Sequence, residues 1–210
     1  MKKIPILFAV ICFGFWGNAS ACYDCSALFH WGFSGSLGAT HYTQVYNTDG
    51  YSVLGRLSFD VQYSLANSLD VGLETGVQNG NTMRLDIPKP TLDLLGGEPV
   101  SIIVKPTIDV LATAKITPSV DAAVYGLVKA GVAYRQMQVD RNEVNDLSKI
   151  SPEVQAGLGY TINTSLAVHL LYQHIFGNNP NYEVDTQTER GSISNIPSQD
   201  SLLLGITLLF

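Results

Sequence analysis

The chain has 210 residues, 46% of them hydrophobic and only 14% charged, with 19 glycines and 10 tyrosines. That charge content lies well below the ~25% usual for soluble domains, yet no uncharged apolar run of ~18 residues follows the N-terminus, which argues against a helical membrane protein. The net charge of −6 argues against nucleic acid as a partner.

Residues 1–21 read as a signal peptide. Lys2 and Lys3 give the positive start, IPILFAVICFGFWG (4–17) the apolar core, and Ala19-Ser20-Ala21 the small-residue cleavage site. Without Lys2 and Lys3, ten basic side chains face 18 acidic ones, a charge of −8. Residues 22–28 form an N-terminal segment carrying Cys22 and Cys25 in CYDC. An exported chain permits a Cys22–Cys25 disulfide or plain thiols. Lipidation of Cys22 is the alternative, although Ala19 stands where that signal usually has Leu. A redox pair lacks its βαβ context, and two thiolates do not complete a zinc site. No metal site and no cofactor are expected.

From residue 29 onward the pattern alternates with period two. The first strand spans about 29–46, with Trp31, Phe33, Leu37 and Ala39 on one face. In the second, Leu57, Phe59, Val61 and Tyr63 oppose Arg56, Ser58, Asp60 and Gln62. In the third, Leu69, Val71, Leu73 and Val77 oppose Asp70 and Glu74. A fourth, about 100–115, sets Ile102, Val104, Ile108 and Val110 against Lys105, Thr107 and Asp109. A fifth, about 119–139, sets Val124, Val128, Val132 and Tyr134 against Asp121, Tyr125, Lys129 and Arg135. The sixth (about 150–161) opposes Val154 and Leu158 to Glu153 and Gln155. The seventh (about 165–176) opposes Leu170 and Tyr172 to His169 and Gln173. The eighth is SLLLGITLLF, 201–210. Strict alternation over such lengths defines strands with one apolar and one polar side.

Tight turns are expected around 66–68, 117–119 and 162–164. Short NTDG (47–50) and the longer stretches 78–99, 140–149 and 177–199 alternate with them. That asymmetry predicts an all-β fold, an eight-stranded antiparallel up-and-down transmembrane β-barrel over 29–210, with external loops at one end. The polar face then turns inward. Arg56, Asp60, Asp70, Glu74, Lys105, Asp109, Asp121, Lys129, Arg135 and Glu153 form an expected interior charge network, which must pair or be hydrated. Eight strands leave a lumen only wide enough for side chains, so a plug is favoured over a narrow pore. Tyr42, Tyr46, Tyr51, Tyr134, Tyr172 and Phe176 are expected to girdle the loop end. Phe29, Trp31, Tyr63, Tyr160 and Phe210 are expected to girdle the other.

With its signal peptide, its alternating strands, VYGLVKAGVAYR (124–135) and above all NIPSQDSLLLGITLLF (195–210), the sequence resembles the eight-stranded outer-membrane barrels of the OmpA-like and opacity-porin superfamily. No peptidoglycan-binding domain is expected with the barrel, and CYDC is not a general feature of that group. The resemblance implies a location in the outer membrane of a Gram-negative bacterium, outer-membrane lipid as surroundings, insertion by the barrel-assembly machinery, and Phe210 as the assembly signal. Members of the group act as surface antigens, adhesins, envelope stabilisers or small pores. A monomer is expected, with a host or extracellular ligand at the loops.

Enzymatic chemistry has weak support. His30, His41, His169 and His174 stand in no catalytic motif, and neither H-E-x-x-H nor G-x-S-x-G occurs. His174 could reach a loop acid such as Asp185 or Glu189. The expectation is a non-enzymatic surface barrel, with a small lipid-modifying enzyme as the alternative.

Overall fold

The computed structural model describes residues 29–210 apart from 44, 47–48, 87–88, 95–99, 120–121, 140–145, 181 and 186–189, and without the side chains of 91, 92, 94 and 182–191. The signal segment, Cys22, Cys25 and Asp121 lie outside the described residues.

In chain order the elements are β1 (Phe29–Tyr42), β2 (Tyr51–Ala66), β3 (Leu69–Gln78), β4 (Asn81–Arg84), the short helix α1 (Lys89–Leu94), β5 (Ser101–Val104), β6 (Thr107–Ile116), β7 (Val124–Val139), β8 (Leu147–Asn163), β9 (Leu166–Ile175), β10 (Tyr182–Asp185), β11 (Arg190–Ile193) and β12 (Gln199–Leu209). β1, β2, β3, β6, β7, β8, β9 and β12 pair antiparallel in that order, and β12 closes on β1. Closure leaves no free edge along the wall, the condition for crossing a bilayer with strands.

The stagger can be followed residue by residue. Paired positions lead from Gly32 to Asp60, Glu74, Leu111, Gly131, Glu153, Ile175 and Gln199, then back to β1 at Tyr42, ten residues beyond the start. With ~3.3 Å per residue and ~4.8 Å between strands, that offset tilts the strands by about 40°. Ten tilted residues then cover about 25 Å, the height of an outer-membrane apolar band. The outer face is apolar all round, from Leu37 and Val53 through Leu73, Val110, Val128 and Leu158 to Leu170 and Leu204. These side chains are exposed because their solvent is lipid.

Four expectations about the loop end are corrected. Residues 78–99 are not simply a loop. β3 resumes as β4 after Asn79-Gly80, and β4 pairs with β5, which pairs in turn with the loop end of β7. The fourth expected strand is correspondingly two strands, β5 and β6, split at Lys105-Pro106. Proline has no N–H to continue a ladder. The inward phase changes across the break: Ile102 and Val104 are buried on β5, whereas Thr107 and Asp109 are buried on β6. Lys105 falls on the break, exposed, its backbone N–H donating to Gln136 O. It is not an interior residue. Likewise Tyr42 shares the inward phase of Ser34, Ser36 and Thr40, so it is buried at the loop end and belongs to no girdle. The other ten girdle aromatics are exposed at the expected ends.

Candidate functional site

The lumen is the first candidate. Arg56 on β2 lies between two carboxylates. Its Nε and Nη2 donate to Asp109 at 3.1 and 2.5 Å, and Nη2 lies 2.8 Å from Glu74. Lys129 on β7 donates to the other Glu74 oxygen at 2.6 Å. All four side chains are buried. Gly76 makes the crossing feasible, since a Cβ there would strike both the Arg56 guanidinium and Asp109. Above this group, Glu153 accepts amide hydrogens from Gln155 (2.7 Å) and Gln173 (2.6 Å), and Gln173 also donates to Gln78 at 3.2 Å. Asp60 accepts from Gln62 at 2.7 Å. On the opposite wall His169 lies 3.1 Å from Ser36 and 3.2 Å from Thr207, in space that glycine at 205 leaves open.

Seven of the ten expected network residues are thus buried in the lumen: Arg56, Asp60, Glu74, Asp109, Lys129, Arg135 and Glu153. Asp70 is half-buried at the tight-turn end, where it meets Lys115 at 3.4 Å and accepts from Ser64 at 2.7 Å. Lys115 escaped the sequence reading, although it shares the inward phase of Asp109 on β6. Arg135 stands apart from the central group. It donates from Nη1 to Pro197 O at 2.8 Å and lies over the Tyr42 ring, while Nε and Nη2 find no partner among the described residues. Buried polar atoms without partners nearby, including Glu153 Oε2, Gln155 Oε1 and Gln173 Oε1, are places for ordered water. A cavity of about 30 Å³ between Asp60, Glu74, Lys129 and His169 has room for about one.

The loop end is closed differently. Tyr42, Val45, Met83, Leu85, Val100, Ile102, Val104, Met137, Val139, Ile193 and Ile196 form one buried apolar cluster. It roofs the polar lumen with side chains from the β1–β2 connection, the β4–β5 pair, β7 and the segment after β11. Asp49 ties the first connection to β4, accepting from Arg84 N, Nε and Nη2 at 3.1, 2.5 and 2.8 Å. Those bonds hold the Asp49 carboxyl below its ordinary range.

Histidine positions sharpen the question of enzymatic chemistry. His174 pairs with Asp200, Nδ1 to Oδ1 at 2.7 Å, while Glu189 and the side chain of Asp185 lie outside the described residues. Tyr172 donates to the same oxygen at 2.5 Å. This group sits outside the barrel, at the loop-end rim.

No family model matches the chain, and no curated protein is similar to it. Solved structures do share its fold. Outer membrane protein OprG from Pseudomonas aeruginosa is similar with a TM-score of 0.57 at 10% identity, over 87% of this chain and 96% of that one. Ail, the attachment invasion locus protein of Yersinia pestis, gives 0.48 at 12% identity over 87% and 97%. The outer membrane enzyme PagL gives 0.42 at 11% identity over 84% and 97%. The chain is an eight-stranded transmembrane β-barrel of the outer-membrane type.

Proposed function

We propose that the protein is a non-enzymatic surface barrel of the bacterial outer membrane, a scaffold that presents its loop end to an extracellular or host ligand. The supporting observation is the filled lumen. Arg56, Glu74, Asp109 and Lys129 bridge its middle, and an apolar roof covers its outer end. With transport through the centre blocked, the surface left for a specific task is the loop end, built on β4–β5 and the β10–β11 hairpin. Outer-membrane lipid surrounds it, the barrel-assembly machinery inserts it, and it works as a monomer. Planar-bilayer recording tests this directly. The folded protein should give no steady conductance, and a stable open channel would refute the scaffold reading.

A lipid-modifying enzyme is the reading that the His174–Asp200 pair favours. Among the described residues, however, no serine, threonine or cysteine side chain hydrogen-bonds His174, so the pair lacks the nucleophile such chemistry uses.

A further inference from the structure

The lipid-facing surface holds a feature the scaffold reading does not use. Outward positions on the eight barrel strands are apolar, aromatic, glycine or uncharged polar, with three exceptions: His41, Asp200 and His174. These three are not scattered. His41 is the register partner of Asp200 on β1–β12, and Asp200 is the register partner of His174 on β12–β9. Every strongly ionisable side chain on the outer face therefore lies in one row across three neighbouring strands.

The row's depth is set by its neighbours. Below it the outer face is Ala39, Leu202 and Leu170, while Tyr51, Tyr172 and Phe176 flank it, all exposed. That is the boundary between hydrocarbon and headgroups, where aromatic belts lie. Deeper in the bilayer such groups would be costly. At this depth they can meet the polar part of a lipid.

The internal bonds leave a defined face for a ligand. Asp200 Oδ1 is occupied by Tyr172 and His174. The carboxylate thus fixes the imidazole through Nδ1, and Nε2 has no hydrogen-bond partner among the described residues. His41 stacks on Tyr51 at 4.4 Å between centroids, and Phe176 meets His174 edge-on at 4.4 Å. Protonated imidazoles donate from both ring nitrogens. Two of them beside one carboxylate carry a net positive charge, in a face otherwise without charge.

We infer that the His41–Asp200–His174 row binds the phosphate-bearing head of an outer-leaflet lipid, its acyl chains lying on the leucines below. Among the described residues, Tyr51, Tyr172, Asp200 and the uncharged Val154 face the two imidazoles from β2, β9, β12 and β8. The protonated form of the imidazoles is the one that holds the anion, through ring N–H donation. This inference needs the membrane fold but no loop ligand.

The test uses the mature chain folded into phosphatidylcholine nanodiscs with or without phosphatidic acid. Lipid retention is read by native mass spectrometry, and the imidazoles by side-chain nitrogen resonances. The unmodified protein should retain phosphatidic acid about tenfold better than H41Q/H174Q. Both substitutions are outside the lumen, and a heat-modifiable band confirms that the variant has folded. Equal retention by the two proteins overturns the inference. So does an equal resonance shift with inorganic phosphate in pure phosphatidylcholine, which would mark a free-anion site rather than a lipid site.

Discussion

Replacing Arg56 with alanine tests the lumen network where its consequences are greatest. Arg56 supplies both charged contacts to Asp109, and no other side chain hydrogen-bonds that carboxylate among the described residues. Glu74 fares better, because Lys129 remains 2.6 Å away. The variant therefore strands one buried carboxylate. Breaking a buried ion pair on one side typically costs about 3–5 kcal/mol, and that is the loss expected here. Urea titration of the barrel refolded into phospholipid vesicles, followed by tryptophan fluorescence and gel mobility, measures it. A loss below ~1 kcal/mol would refute the reasoning.

Other outcomes follow from the same structure. Gly205→Val should cost about 1–3 kcal/mol in the same titration, because the new side chain enters the space of His169 and Ser36; an unchanged midpoint would mean that the β12 wall has slack there. Deleting Phe210 should lower the amount of assembled protein in cells while in-vitro refolding persists. The side chain is 75% exposed and contributes no interior packing, although its backbone pairs with Trp31; normal surface levels would remove its role as an assembly signal. Ser194→Cys, at the loop end, should react with a membrane-impermeant maleimide on intact cells, and protection there would reverse the orientation. Asp49 is held below its ordinary value by Arg84, so its pairing contributes above the usual carboxylate range and is lost as pH falls through the lowered value. The protection of the Arg84 amide, relative to its intrinsic exchange rate at each pH, should fall in acid and in D49N alike, because Asp49 accepts its N–H.

How far the sequence could be read depended on how locally each feature is determined. Period-two alternation is local, so the facing of Arg56, Glu74, Lys129 and Leu204 could be assigned from neighbours alone. Lys105 could not. Its facing depends on a ladder broken at Pro106, and period counting carries a phase straight through such a break. Tyr42 departs from the pattern for another reason. Aromatic character suggested a girdle, while its even position on β1 placed it with Ser36 and Thr40. The partners inside the lumen were beyond local reading altogether, because they depend on the stagger of the closed sheet. Asp60 and Glu74 are direct register partners, yet Glu74 is bonded to Arg56 and Lys129. Lys129 itself is the register partner of Thr113 and Gln155 and reaches Glu74 from across β6. Such diagonal reach follows from tilt. In a barrel tilted by about 40°, side chains at one height come from different register rows, so charge pairing runs along the membrane plane rather than along the hydrogen-bond ladder. The rim obeys the opposite rule. His41, Asp200 and His174 lie in a single register row, and a row inclined to the membrane plane presents its three groups at stepped depths. The interior network is therefore arranged to close a cross-section, whereas the rim row is arranged to follow one lipid molecule from its headgroup toward its chains.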